Sequence, residues 1–477
     1  MEDKVEISLR DSLLLARDFF KAGLLEDAYK LYLTLASIEP GNWDVVHNVA
    51  YTLAALKRYD EAILWYDKAM QIAVSQMNIV TLNKSQALGE IGCSGEAIHM
   101  LQNGLLRAQP DHINGLYNLG VLLMQEERFD EAQSVLDRAM LIDPDAAQGN
   151  AKFCRGFANL VLGNYIDGFR DFEDRLKDNI KGGPGQGEEL RPEHVLPRKV
   201  GEYGHTGRPH VAGRTVLVLS EMGRGDVIQF GRFIPLLLER GAKVVLGTDR
   251  GIGSLFDQYP VQQFDINNDP LPETDYWCHM MGLAHVFQIT VDTVPPPLSI
   301  VYEPDLLREW RQRIPDDGTL NVGLCWAGSP TSRYDEHRSI PLAQLEPLLD
   351  LVDEERVRFY SLQQNVRESD KEAADYFGAD LIHIGERFTD FRQTAHAMKC
   401  LDLVITVDTS VAHMAGTVGV PTWILTTRFR TYWLWLKGRV DTPWYPSVNL
   451  IRQPVHGNWP SAVAVARERL LGLLSAT

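Results

Sequence analysis

The sequence predicts a multidomain chain: an all-α solenoid of paired helices, then an α/β region in two halves, each built on a parallel sheet. Three observations carry this. A helical pattern returns with a period near 35 residues through the first third of the chain. A run of glycines and prolines ends it. From Arg214 onward, apolar runs of strand length alternate with segments of helix length.

The repeat is legible residue by residue. Leu53, Tyr59-Asp60-Glu61-Ala62, Tyr66 and Ala69 return two periods later as Leu123, Phe129-Asp130-Glu131-Ala132, Leu136 and Ala139. An earlier copy carries Leu25-Glu26-Asp27-Ala28, Tyr32, Leu35 and Pro40. A weaker one carries Gly95-Glu96-Ala97 and Leu101, and a last one Tyr165, Gly168 and Phe172. The small residues let paired helices approach closely, and the Leu and aromatic positions fill the groove between them. The pattern resembles the tetratricopeptide repeat, with four to five copies in residues 1–180.

Lys181-Gly182-Gly183-Pro184-Gly185-Gln186-Gly187, followed by Pro192, Pro197 and Pro209, reads as a linker over 181–213. Thr215 to Ser220 is a buried-strand run, Glu221 to Gly225 a turn, Asp226 to Arg240 a helix and Lys243 to Gly247 a second strand. They open a first Rossmann-like domain, 214–300, which Pro295-Pro296-Pro297 closes. A second, 301–460, has strands at Asn321–Trp326, Arg358–Leu362, Leu401–Val407 and Thr422–Leu425. Residues 461–477 form a closing helix.

Composition narrows the function classes. An apolar fraction of 45% supports real cores, and a formal charge of -17 gives no general field toward nucleic acid or anionic lipid. Five scattered cysteines without a CxxC pair indicate neither a disulfide framework nor a zinc site. The charged N-terminus lacks a signal-peptide core, and no apolar run reaches the roughly 20 residues of a membrane span. The expectation is a cytoplasmic protein without a membrane span. The α/β region has no DxD pair after a strand, since Asp143-Pro144-Asp145 lies in the repeats, so no essential metal is expected.

Four segments carry candidate chemistry. Asp408, Thr409 and Ser410 follow an apolar strand and open a helix, a place suited to phosphate, and His413 lies on the same helical face. Gly223, Arg224 and Gly225 form a turn after the first strand, with Asp226 and Gln229 on the helix beyond. Ile228 stands where a dinucleotide fingerprint needs its third glycine, which disfavours NAD. Asp226 is either a helix cap or a carboxylate at the mouth of a cleft. Trp326, Gly328 and Ser329 follow another strand, with Arg333 and Arg338 able to neutralise a diphosphate and Gln363 able to read a base or sugar hydroxyl. Arg428-Phe429-Arg430-Thr431-Tyr432-Trp433 mixes cations and aromatics, for ligand stacking or for interdomain packing.

The ordered motifs Gly213 to Phe230, Trp326-Ala327-Gly328-Ser329-Pro330, Arg338-Ser339-Ile340-Pro341-Leu342 and Asp408-Thr409-Ser410-Val411-Ala412-His413 resemble bacterial tetratricopeptide-repeat glycosyltransferases. Phe169, Phe172, Glu173 and Arg175 resemble that family's junction motif. The sheet half is similar to the heptosyltransferases, and the layout to the O-linked N-acetylglucosamine transferases. The resemblance implies a GT-B fold, with two Rossmann-like domains facing each other and a last helix crossing back to the first. It implies Asp226 as general base. It implies donor contacts from Asp408, Thr409, Ser410, His413, Arg338, Trp326, Gly328, Ser329 and Gln363. Gly223, Arg224, Gly225, Gln229 and Arg428 would line the acceptor side. A nucleotide sugar would be co-substrate, with no other cofactor, and the repeats would hold an acceptor protein or peptide. Arg224 replaces a common Leu, and Ser329 a common Asn. Three other readings stay open: a repeat scaffold with a degenerate transferase half, a saccharide acceptor, and sugar transfer to a nucleic acid base, which the acidic charge makes an unlikely partner.

Overall fold

The computed structural model describes residues 8–143, 150–176, 188–196, 210–332, 335–354, 356–428 and 431–476. Arg333, Phe429, Arg430, Asp145, Lys181–Gly187, Pro197 and Pro209 lie outside the described residues. The chain divides into two compact units, Met1–Ala158 and Asn159–Thr477.

The first unit is a succession of helix pairs: Leu9–Lys21 with Leu25–Ile38, Trp43–Ala55 with Tyr59–Ile72, Met77–Glu90 with Ser94–Met100 and its π-helical continuation Leu101–Leu105, and Ile113–Gln125 with Phe129–Ile142. The repeat alanines Ala28, Ala62, Ala97 and Ala132 are fully buried, and Tyr32, Tyr66, Leu101 and Leu136 fill the space four residues on. The turn inside each pair needs one left-handed residue. Gly23 and Gly92 supply it freely, whereas Lys57 and Glu127 adopt it at φ 61° and 57°.

The second unit holds two parallel sheets. The strands of the first are β1 (Glu188–Glu189), β2 (Thr215–Leu219), β3 (Lys243–Thr248), β4 (Gln262–Asp265) and β5 (Tyr276–His279), in the order β1-β5-β2-β3-β4. Those of the second are β6 (Leu320–Cys325), β7 (Val357–Ser361), β8 (Leu381–His383), β9 (Leu403–Val407), β10 (Thr422–Thr426) and β11 (Val448–Arg452), in the order β11-β10-β9-β6-β7-β8. Every pairing is parallel, as strand–helix–strand connections require. In each sheet the strand order reverses at the first long strand. β2 lies between β3 and β5, and β6 between β7 and β9, so a crevice opens at the carboxyl ends of both. Repeats followed by two Rossmann-like halves make this a multidomain chain of tetratricopeptide solenoid plus GT-B fold.

Four sequence expectations need correction. The compact repeat unit ends at Ala158 rather than at 180. The Tyr165–Phe172 helix belongs to the second unit because its aromatic face is buried there: Tyr165 and Phe169 pack with Phe230, Trp433 and Trp444, all almost fully buried. The stretch read as linker adds β1 to the first sheet beside β5, with Leu190, Val195 and Val211 buried. The helix expected over 226–240 is two helices, Arg224–Phe230 and Phe233–Glu239. Pro235 has no N–H to give the Gly231 carbonyl, and its ring opposes a continuous helix there. The closing helix, Trp459–Ala476, stays with the second sheet instead of crossing back. Trp459, Ala462, Val463, Ala466 and Leu470 share a core with Val322, Leu324 and Ile405.

Candidate functional site

The two crevices are joined by a helix–helix contact. The Arg224–Phe230 helix of the first half packs on the Ser410–Val418 helix of the second. Gly225 makes this possible: a Cβ there would stand 2.8 Å from Cδ2 of His413. The glycine expected to admit a ligand therefore admits the opposite half of the unit.

Asp226 sits three residues past Gly223 and folds back on its own turn. Its Oδ2 accepts the Gly223 N–H at 2.9 Å. Its Oδ1 accepts the Tyr432 hydroxyl, from the second half, at 2.7 Å. Burial pushes the Asp226 carboxyl above its ordinary range, against those two hydrogen bonds. The turn itself is pinned from behind. Glu221 takes a two-pronged contact from Arg175, at 3.0 and 2.6 Å, and Arg175 also holds Glu173 at 2.6 Å. The Arg175 and Glu221 side chains are 6% and 9% exposed, so the pair is nearly desolvated. The junction motif thus reaches the loop that carries Asp226.

Asp408, Thr409 and Ser410 form the second turn, at the end of β9. Thr409 caps the helix, its hydroxyl accepting the Val411 N–H at 3.2 Å, and Gly419 ends the helix in the left-handed conformation at φ 80°. The helix presents its N–H end to the crevice between β6 and β9. Arg338 lies beside it and donates to the Asp408 carbonyl at 3.1 Å. Gly328 is the floor under that guanidinium: a Cβ there would be 2.6 Å from an Arg338 Nη. Buried Asp335 lies 3.5 Å from Arg338 and also pairs with Arg367. Two cations thus share one buried carboxylate, and the Arg338 charge also acts on the Asp408 carboxyl.

Burial raises the Asp408 carboxyl to about 6, helped by the Asp226 charge and opposed by Trp435 and Arg338. Burial and the Arg232 and Arg338 charges lower His413 to about 3, so its imidazole is neutral at pH 7. Nδ1 of His413 is 3.1 Å from the Tyr445 hydroxyl. With that hydroxyl as donor, the proton of the neutral ring sits on Nε2, the nitrogen facing Gly225.

Other expected site residues fall elsewhere. Trp326 is 1% exposed, and its indole N–H donates to Asp370 at 3.0 Å, so it supports the loop from the core rather than facing a ligand. Gln229 is fully buried beneath Tyr432, at 3.5 Å, rather than at the cleft mouth. Arg224 pairs with Asp249 at 3.3 Å, and Arg428 donates to the Pro454 carbonyl at 2.6 Å. Gln363 accepts the Ala327 N–H at 3.3 Å, and exposed Ser329 meets Thr331 at 2.8 Å. Sequence reasoning placed Tyr432, Tyr445, Glu221 and Asp335 inside its candidate segments without their partners, and missed Arg367 altogether. For Tyr432 the available signal was its place in the aromatic–basic run. Among the described residues, no helix is long and apolar enough to cross a membrane.

The class of protein is fixed by its fold: tetratricopeptide repeats ahead of a GT-B pair of Rossmann-like halves. The tetratricopeptide-repeat family model matches residues 13–73 and 95–152. The chain is similar to Protein FlbA of Caulobacter vibrioides, 22% identical over 485 residues, covering 93% of this chain and 75% of that protein. It is also similar to the human Protein O-mannosyl-transferase TMTC3, 27% identical over 158 residues, but these cover 32% of this chain and only 17% of the human protein. A solved glycosyl transferase family 9 structure from Veillonella parvula aligns over 55% of this chain and 96% of its own, at 13% identity and a TM-score of 0.42.

Proposed function

We propose that the chain is a glycosyltransferase that moves a sugar from a nucleotide-sugar donor to a hydroxyl acceptor by inverting displacement. The observation that carries this is the pairing of two strand-end turns in one cleft. One bears a carboxylate, Asp226, and the other a helix N-terminus flanked by Arg338. Asp226 takes the proton of the acceptor hydroxyl while its oxygen attacks the anomeric carbon. The bond from that carbon to the diphosphate breaks, and the nucleoside diphosphate departs from the opposite face. The N–H groups at the start of the Ser410–Val418 helix and the Arg338 guanidinium meet the charge that grows on it. These groups do the work that a divalent ion does in enzymes that clamp the diphosphate through magnesium, so transfer is metal-independent in this reading. The raised carboxyl of Asp226 suits a base, since a more basic carboxylate accepts the proton more readily.

The repeats select the acceptor, and a protein or peptide fits them best, because a helical solenoid offers an extended surface. The test is Asp226→Asn. It should retain nucleotide-sugar binding, read by thermal shift, and lose transfer to protein acceptor. Near-normal turnover would remove Asp226 from the role. Deleting residues 1–158 should abolish transfer to protein while sparing donor binding. Unchanged protein glycosylation would remove the repeats from acceptor selection.

A further inference from the structure

Asp226 is already engaged in a bond of the kind a general base makes with its nucleophile. The Tyr432 hydroxyl donates to Oδ1 at 2.7 Å, and Oδ2 is held by the Gly223 N–H. A second acceptor waits beside it. Oε1 of Gln229 is 3.5 Å from the same hydroxyl, and Gln229 is fully buried with its amide nitrogen unpartnered. The Tyr432 ring packs on Trp433 at 5.3 Å and faces His413 edge-on at 6.3 Å, so the phenol lies between the base and the helix that bears His413.

We propose that Tyr432 occupies the acceptor-hydroxyl position at Asp226 in the resting protein and decides between acceptor and water. This rests on the reading of Asp226 as base. An acceptor hydroxyl held by further contacts displaces the phenol, which turns its proton to Gln229. A lone water, with no other contacts to the protein, does not. Tyr432 therefore suppresses hydrolysis, in which water attacks the anomeric carbon, its proton passes to Asp226, and free sugar and nucleoside diphosphate are released. A part-buried hydrogen bond to a carboxylate is strong enough to matter here, since such bonds contribute more than neutral ones.

The test is Tyr432→Phe in the full chain, which keeps the ring and removes the hydroxyl. Wild type and variant are incubated without acceptor with a panel of UDP-glucose, UDP-N-acetylglucosamine, GDP-mannose and ADP-glucose, and free nucleoside diphosphate is measured. Y432F should release it at least fivefold faster than wild type from one of these donors. The double variant with Asp226→Asn should return to background. Release by Y432F at or below the wild-type rate on every donor overturns the proposal, provided that D226N abolishes transfer. A mass gain of one sugar on Tyr432 of the wild type also overturns it, because Tyr432 would then be an acceptor. Transfer by D226N at the wild-type rate instead sinks the reading of the base on which the proposal rests.

Discussion

The two strand-end turns of the second unit share a plan, each bearing an aspartate, and differ in the groups set around it. Each follows a central parallel strand, and each starts a short helix that packs on the other. At the β2 turn the carboxylate of Asp226 bends back to its own backbone, and Glu221 two residues before the glycine is tied to Arg175. At the β9 turn a hydroxyl, Thr409, does the capping, and the neighbouring side chain is a guanidinium. Similar backbone frames thus hold one carboxylate against a backbone N–H and a phenol, and set the other, Asp408, beside a guanidinium. The difference teaches that the supporting side chains, more than the strand–turn–helix frame, set what each turn binds.

The comparison breaks first at Asp226. Asp226→Asn should lower kcat about 10³-fold while leaving donor affinity within twofold. Equal loss of donor binding would mean that the two turns are not separate. Next, Arg175→Met should strip the β2 turn of its anchor. It leaves Glu221 and Glu173 without their cation, at a cost of about 3–5 kcal/mol in denaturant unfolding of the second unit. A loss below 1 kcal/mol would show that water reaches the pair. Third, Arg338→Ala should weaken nucleotide-sugar binding about 10- to 100-fold by calorimetry, the worth of one charge-assisted contact. Finally, His413 should dominate the acid response of the β9 turn. Its folded value near 3 lies below the unfolded histidine value, so its contribution is full above pH 6.5 and is lost as pH falls toward 3. Between pH 7 and pH 5 this is about 2 kcal/mol for one such group. His413→Gln should flatten the stability slope over that interval by this amount. An unchanged slope would exclude His413 as its source. Buried Asp226 and Asp408, both raised, run in the opposite direction, so the wild-type minus variant difference isolates the histidine.

Much of this was legible in the chain. The 35-residue pattern placed Ala28, Ala62, Ala97 and Ala132 at helix contacts because a repeated helix pair makes the same contact each time. The long strands, β2, β3, β6, β7, β9 and β10, were read from continuous apolar runs, as strands buried on both faces must be. β1, β4, β5, β8 and β11 were not, because segments such as Gln262–Asp265 and Val448–Arg452 interleave polar residues and carry no continuous apolar run. Trp326 misled because an aromatic after a strand can face a ligand or the core, and only packing around Asp370 distinguishes the two.

The sequence alone determined the order of the architecture and the residue types at both turns. Helical periodicity, strand hydrophobicity and cap chemistry act between residues a few positions apart. Only the tertiary structure decided which residues meet. Tyr432 reaches Asp226 across 206 positions, Gly225 lies against His413, and Trp444 donates to Tyr165 across 279. No local pattern encodes such pairs, since they depend on segments distant in sequence packing around one buried aromatic cluster.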